Sequence, residues 1–464
     1  MILDRFADRF EKVTSSDPRT SKSQQTLHAT IEWSYNLLSD SEKLLFTRLS
    51  VFASGFDITA AEEVCSDKQL PKDLILDTLS ALVDRSMVYT VKSAGSSMRY
   101  NCLETLKQFG HQVIEERGEG GSITERHFKY YLSLTEEAYQ QQYEEQLKWS
   151  KKFDAEEDNI MSALDWAKMN EIEGFQTLTS TLSWYWLFKS KIVLGRSYLE
   201  TALATTVHDP KVKARLLYGY AYCFWFLNEF DRAVQIAKES LDIWRSLKNS
   251  WEEAQVHQLL SAVHMDKIDD SERALEYSQK GLEIARELGK PGLINHCLLQ
   301  VCQNLVYGKQ FERGLPFVEE LIKSSEKLEQ AWTITVARHF HSDCALGMEY
   351  FQEAERRYGL SIQTAIEYGN DFIAMGDVQG VAFALSAQQR WKKSLRLNAA
   401  SIEKGKSMGI STKGIVECWD EWIETYIEGA KKAVGEELAK QYNEEGIAMG
   451  FDKAVEYALD FEKD

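Results

Sequence analysis

The back half of the chain repeats one arrangement of small and apolar residues about every forty positions. Six residues serve as anchors for this register, with spacings of 38, 41, 40, 40 and 40: Ile192, Phe230, Ser271, Phe311, Phe351 and Trp391. Nine positions before each anchor stands a small residue: Ser183, Ala221, Ala262, Cys302, Ser342 and Ala382. Three positions after each anchor stands another: Gly195, Ala233, Ala274, Gly314, Ala354 and Ser394. A period of this length predicts a solenoid of helix pairs (helix A, then helix B from the anchor), whose helices cross at the small residues.

The front of the chain follows a different pattern. Apolar spacing predicts an isolated first helix at residues 2–13 and four helices at 26–38, 40–52, 58–65 and 74–83. Asp40 is positioned to cap the second of these four. Residues 87–91 and 98–103 alternate like strands around a turn at 93–97, and a last helix is predicted at 105–116. Helices closed by a hairpin and a final helix are typical of a winged helix.

Composition narrows the class of protein. The chain has 464 residues, which is too long for one ordinary core, and a formal net charge of −18. That charge disfavours broad binding to nucleic acids or anionic membranes, because affinity for phosphate comes mainly from lysine and arginine. The seven cysteines form no CxxC pair, and no apolar stretch approaches the length of a membrane span. We therefore expect a cytoplasmic protein with reduced cysteines and no membrane partner.

Several segments resemble a known family. TLHATIEWSYNLLSDSEKLLFTRLSVFASGFDITAAEEVC (residues 26–65) is similar to the winged helix of bacterial STAND or NB-ARC-type predicted ATPases, which are signalling regulators. LDTLSALVDRSMV (76–88), RYNCLETLKQFG (99–110), AEEDNIMSALDWA (155–167) and NEEGIAMGFDKAVEYAL (443–459) continue the likeness. The family's order is NTPase, helical lid, winged helix and tetratricopeptide array. The resemblance implies that this chain is the C-terminal half of such a switch, beginning at the last lid helix, ILDRFADRF (2–10).

Repeat pattern and resemblance together give a domain prediction. The fold class is all-α apart from one hairpin: a winged helix followed by a right-handed α-solenoid of about seven tetratricopeptide-like helix pairs. The expected parts are a lid remnant (1–18), the winged helix (19–118), a helical lead-in (119–170), the repeats (171–428) and capping helices (429–464). The glycine-rich run at 118–121 marks the first linker.

No sequence motif points to catalysis, to a cofactor or to a metal. The nearest approach to a phosphate-binding loop, at 404–407, has Ala400 where the motif needs glycine. His339 and His341 point to different sides of a helix, so only His339 and Asp343 share a face. A buried His339–Asp343 pair beside a closed pocket would favour an enzyme; otherwise none is expected. In switches of the immune-receptor type, a Met-His-Asp motif senses nucleotide, and here Cys102, Leu103 and Glu104 align with it, so sensing at this position is not expected.

Direct DNA binding is also not expected. The helix that would enter the major groove, residues 73–84, carries three aspartates and neither lysine nor arginine. The hairpin offers only Lys92 and Arg99.

The concave face of the array is the predicted binding surface. Helix A positions 15, 12, 8 and 5 before the anchor should face it, and aromatic and arginine side chains are frequent binding anchors. The candidate residues are Trp184, Arg215, Tyr218, Tyr222, Trp225, His296, Gln303, His339, Asp343, Gln379 and Phe383. We expect Trp184, Tyr222 and Trp225 to converge on one patch.

The predicted function is the sensor or scaffold arm of a bacterial signal-transduction regulator that binds a protein, peptide or small effector in this groove. In a longer parent protein the NTPase module is an intramolecular partner. Two alternatives stay open: a stand-alone tetratricopeptide scaffold, and the small-molecule-sensing part of a transcriptional activator.

Overall fold

The computed structural model describes residues 28–92, 98–189, 191–266, 270–410, 413–414 and 416–460. The predicted first helix, the lid remnant and the hairpin turn at 93–97 lie outside these ranges. The chain divides into two compact units. Unit 1 comprises Met1–Gln140 and Lys148–Tyr185, and unit 2 comprises Gln141–Leu147 and Trp186–Asp464.

Unit 1 begins with the predicted winged helix. Its elements are α1 (28–36), α2 (Asp40–Leu49), α3 (Ile58–Cys65), α4 (Lys72–Asp84), β1 (Tyr89–Lys92), β2 (Met98–Asn101) and α5 (Glu104–Glu116). The strands are antiparallel, with Tyr89 opposite Asn101, and Phe56 pairs with Tyr100 as a one-residue third strand. The cap of α2 is Ser39 rather than Asp40, because Ser39 and Glu42 form a reciprocal capping box.

Long helices complete both units. Unit 1 continues with α6 (Gly120–Gln140), α7 (Gln146–Asn170, in unit 1 from Lys148) and most of α8 (Ile172–Phe188). Unit 2 holds α9 (Ile192–Leu203) and then alternating A and B helices: α10 (Pro210–Phe226), α11 (Phe230–Ser246), α12 (Ser250–Asp266), α13 (Ser271–Leu288), α14 (Pro291–Tyr307), α15 (Phe311–Lys327), α16 (Ala331–Gly347), α17 (Phe351–Glu367), α18 (Asp371–Ala387) and α19 (Trp391–Ser407). The predicted first repeat, anchored at Ile192, is thus divided between the units.

The predicted register of the repeats is confirmed. Each of the six anchors is the first residue of a B helix. Both columns of small residues are buried, and in the last regular pair the Ser394 hydroxyl donates to the Ala382 carbonyl at 2.7 Å, so the two columns meet there. The turns repeat as well: Asn228, Lys309, Glu349 and Gln389 all have left-handed backbone two residues before an anchor.

The C-terminal end departs from the pair pattern. It contains α20 (Glu417–Trp422), a π-helical turn (Ile423–Glu428), α21 (Gly429–Val434), α22 (Glu436–Met449) and α23 (Phe451–Leu459). Helix α22 packs so closely on α19 that a Cβ at Gly446 would overlap the Arg396 backbone. The last B helix is therefore covered, which is what a solenoid end requires.

Candidate functional site

The aromatic candidates on α10 form a continuous row of rings. Tyr222 makes edge contacts with Tyr218, at 5.4 Å between ring centroids, and with Trp225, at 5.3 Å. The Trp225 indole donates to Asp266 at 2.6 Å, and Arg215 donates to Glu252 at 2.7 Å. The row is therefore fixed by partners on the next A helix, α12.

Trp184 lies in unit 1, where its ring packs against Phe153 and Tyr185 and is almost fully buried. Within unit 1 it is a core residue, and the expected convergence with Tyr222 and Trp225 stays a prediction.

A short segment of the chain occupies the groove beside this row. We call residues 141–147 the strap; they comprise the turn between α6 and α7 and the first two residues of α7, and they belong to unit 2. The Tyr143 ring stacks on His296, at 4.4 Å between centroids and 25° between planes. Its hydroxyl donates to Gln255 at 2.8 Å, and Gln330 donates to its carbonyl oxygen at 2.7 Å. The ring of the predicted site residue His296 is therefore covered by Tyr143 of the same chain.

A second segment covers the other half of the predicted surface. Trp419 of α20 packs on His339 and Phe383, with centroid distances of 5.6 and 5.3 Å. Trp422 stacks on Phe311. Phe311 begins α15, which lies two repeats before α19, the B helix that immediately precedes α20 in the chain. Lys309, just after the end of α14, donates to Glu421 of α20 at 2.5 Å and so holds α20 in place. Helix α20 thus lies across inward positions of α16 and α18.

His339 is the centre of a buried charged cluster. Its Nδ1 lies 2.7 Å from Asp377 Oδ1, and its Nε2 lies 3.4 Å from Asp343 Oδ2. Burial alone would lower the pKa of His339, but the two carboxylates outweigh it and raise that pKa to about 9. Burial raises the pKa of Asp343 and of Asp377, against the opposing effect of His339. Tyr358 donates to Asp343 at 2.6 Å.

This cluster is the buried pair that would favour an enzyme, but its geometry argues against base catalysis. A general base needs a free lone pair near neutral pH. With a pKa of about 9, the imidazole of His339 carries protons on both nitrogens, and each nitrogen faces a carboxylate. The arrangement instead fixes α16 to α18. Among the described residues, no group of three His, Cys, Asp or Glu is arranged to hold a metal ion.

The remaining candidates differ in their accessibility. Gln303 is half-buried on α14. Gln379 is fully buried and donates to Asn398 of α19 at 2.9 Å, so it belongs to the interior of a helix pair. Phe383 is fully buried beneath Trp419, Trp422 and Tyr426. An effector can reach these last two only if the covering side chains move.

One apolar pocket remains open within the covered surface. We call it the His339 pocket; its cavity volume is about 70 Å³. Its floor is Gly376, where a Cβ would lie 3.7 Å from Trp419 and 3.9 Å from His339. Its lining residues are Tyr307, His339, Phe372, Ile373, Met375, Gly376, Val416 and Trp419. Only His339 in this set had been predicted as a site residue.

Helix α4, which would enter the major groove if the winged helix read DNA, is mainly acidic among its charged residues. Helix α4 begins at Lys72, two residues before the predicted helix (74–83) and one before the acidic segment 73–84, but that lysine pairs with Glu63 at 2.5 Å and with Glu62. Arg99 is buried and donates to Glu156 at 2.5 Å, so it is unavailable to a phosphate. Leu103, at the nucleotide-sensing position of the resemblance, is exposed at the start of α5.

Sequence reasoning missed the partners that come from distant segments. Asp377 follows His339 by 38 residues, which is nearly one repeat, so comparison of adjacent A helices could have found it. Tyr143 lies outside the predicted repeats, and no spacing signal connects it to the groove. Trp419 lies within the predicted range (171–428) but beyond the last anchor, Trp391.

Comparisons with known proteins agree with this fold. Residues 38–115 match the family described as winged helix-turn-helix domain. A Mycobacterium tuberculosis protein named as an HTH-type transcriptional regulator is 26% identical over 337 residues, which is 72% of this chain and 34% of that protein. An uncharacterized protein of the same organism is 33% identical over 130 residues, covering 28% of this chain and 33% of its own length. The chain therefore spans about a third of the length of these relatives.

One solved structure has a similar fold. The crystal structure of a signal transduction ATPase with numerous domains (STAND) with a tetratricopeptide repeat sensor, from Pyrococcus horikoshii, matches with a TM-score of 0.56 and 14% identity. The match covers 89% of this chain and 67% of that one. No helix in the described part of the chain is long and apolar enough to cross a membrane. The resemblance is confirmed in fold: this chain has a winged helix-turn-helix domain followed by a tetratricopeptide-like helical array.

Proposed function

We propose that this chain is the effector-binding arm of a signal-transduction regulator and that its array receives a peptide or protein effector at the His339 pocket. The relatives named as transcriptional regulators and the fold of a STAND protein with a repeat sensor support the regulatory role. The observation that carries the binding site is the pocket itself, which stays open where α20 otherwise covers the inward positions of the array.

The lining of the pocket indicates the kind of group that enters it. Aromatic and aliphatic carbon forms most of the wall, from Tyr307, Phe372, Ile373 and Trp419. The nitrogens of His339 are directed at Asp377 and Asp343, so this side chain presents ring carbon to the pocket. A site of this kind favours an apolar side chain, whose burial provides about 1.5–3 kcal/mol. The effector we infer is a peptide or protein segment with one such side chain.

The position of the pocket offers a route from binding to regulation. Trp419 belongs to α20, and its ring also packs on Phe383. An effector that entered would contact α20 and α18 together and would change the relative stability of arrangements that differ at this contact. The winged helix would receive that change.

The test is a selection of displayed random peptides on the wild-type chain, with counter-selection on Gly376→Leu. The added side chain grows from the pocket floor into the open space, and leucine is favourable in a helix. Gly429→Leu is the matched control, because nothing lies within 4 Å of a Cβ at that helical glycine.

We expect selected peptides to share an apolar residue and to bind Gly376→Leu at least tenfold more weakly than wild type and Gly429→Leu. Peptides that bind all three proteins equally, or a selection that enriches none, would refute the pocket as the effector site.

A further inference from the structure

The strap packs the side chain and backbone of Tyr143 against several side chains of unit 2. Tyr143 is 8% exposed although it lies in a turn rather than in a helix. Its ring is held between His296, which stacks on it, and Trp251, at 5.9 Å. A tyrosine that is buried in this way needs packing partners for its ring and a hydrogen-bond partner for its hydroxyl.

The hydroxyl of Tyr143 is recognised by an ordered series of polar side chains. Gln255 accepts from it at 2.8 Å, and Gln255 in turn donates to Glu252 at 3.3 Å. Arg215 fixes Glu252 from α10. Two further residues orient the Gln255 acceptor. A phenylalanine in place of Tyr143 would leave that buried acceptor without its hydrogen bond, so the site distinguishes tyrosine from phenylalanine.

The backbone of the strap is recognised too. Gln330 donates to the Tyr143 carbonyl oxygen at 2.7 Å, and Asn295 donates to Gln330 at 2.7 Å. Gly292 in the first turn of α14 lies directly beneath: a Cβ there would be 2.8 Å from the Tyr143 carbonyl carbon and 2.9 Å from the Glu144 nitrogen. That distance is shorter than a real Cβ contact, so the strap fits only because residue 292 is glycine.

We infer that this site, formed by Gln255, Gly292, His296 and Gln330, binds a tyrosine-bearing peptide segment in a turn conformation, and that the strap is its tethered occupant. The inference rests on the proposed function, since it identifies a second part of the groove where a peptide effector competes with the chain itself. It shares no residue with the His339 pocket, so the two proposals can fail separately.

The test uses a fluorescently labelled synthetic peptide of residues 141–147 as the probe. In the wild-type chain this peptide must compete with a tethered copy whose effective concentration is on the order of millimolar. Tyr143→Ala removes the side chain of the tethered copy and leaves the site open. In Tyr143→Ala combined with Gly292→Ala, the raised floor obstructs the peptide backbone.

By fluorescence anisotropy, we expect Tyr143→Ala to bind the peptide at least tenfold more tightly than wild type and than the double variant. A peptide with phenylalanine in place of the tyrosine should bind Tyr143→Ala several-fold more weakly. Adding Gly376→Leu should change nothing. Equal binding to the three proteins, or none to Tyr143→Ala up to a millimolar peptide concentration, would overturn the inference.

A second measurement covers the case in which Tyr143→Ala fails to fold. Glu144 and Glu145 make the strap a substrate for a glutamate-specific protease once it leaves the site. Gly292→Ala should be cut there at least tenfold faster than wild type, and Gly429→Ala, with an open Cβ position, should resemble wild type. Equal cleavage of Gly292→Ala and wild type would show that Gly292 does not hold the strap, and would also overturn the inference.

Discussion

The charged cluster around His339 should make the stability of unit 2 depend on pH in a defined window. The pKa of this buried imidazole is raised from 6.5 to about 9, which corresponds to about 3 kcal/mol of stabilisation of the folded state. Because the folded pKa lies above the unfolded one, the contribution is complete below pH 6.5 and is lost as the pH rises through 9. His339→Gln removes it, and leaves Asp343 and Asp377 without their cationic partner.

The assay is urea denaturation of wild type and His339→Gln between pH 6 and 10. We expect the difference in unfolding free energy to be largest near pH 6 and to fall by about 2–3 kcal/mol by pH 10. Burial raises the pKa of the adjoining Tyr307, Tyr358 and Cys418. These groups are common to both proteins, so their effects largely cancel in the difference.

His341→Gln is the matched control, two residues away on the same helix. Burial lowers the pKa of His341 from 6.5 to about 4, so its contribution to stability rises by less than about 1 kcal/mol between pH 6 and 7 and is nearly constant above pH 7. A difference curve for His339→Gln that is as flat between pH 7.5 and 10 as the one for His341→Gln would mean that His339 is not a buried imidazolium.

Three further predictions concern the array and the winged helix. Ala274→Leu should cost about 1–3 kcal/mol of unfolding free energy by overpacking the A–B crossing, whereas Val193→Leu, 83% exposed, should change it by less than about 0.5 kcal/mol; equal effects would contradict the register. In a fluorescence titration at physiological salt the chain should show no sequence-dependent binding to duplex DNA, because Lys72 and Arg99 are paired internally; a salt-steep, sequence-dependent isotherm would contradict this. Calorimetry with ATP should show no binding, since the 404–407 segment lies at the end of helix α19; micromolar affinity would contradict it.

Local patterns in the sequence were sufficient to predict the repeat geometry. The helix crossings depend on a residue that is small at a fixed distance from the anchor, and the B helices begin at the anchors themselves, from Ile192 to Trp391. Both features are encoded within about twenty residues. The winged helix was predictable for the same reason, since its hairpin pairs strands only a few residues apart.

The state of the groove was not predictable, because it depends on contacts between distant segments. The strap meets its site across 112 residues between Tyr143 and Gln255, and α20 reaches back over two repeats to Phe311. The strap lies outside the predicted repeats, and α20 lies beyond the last anchor, Trp391. Periodicity therefore predicted which positions face inward, such as His296 and His339, but not that segments of the same chain pack on them.

This coverage has a consequence for how such an arm would respond. A site that its tethered occupant fills for 99% of the time binds a competing peptide about a hundredfold more weakly than the open site does. Each hydrogen bond that holds the strap, such as those from Tyr143 to Gln255 and from Gln330 to the strap carbonyl, contributes about 1 kcal/mol. One such bond changes the open fraction about fivefold. The strap's own contacts would therefore set the effector concentration at which the arm responds, with no change in the residues that the effector touches.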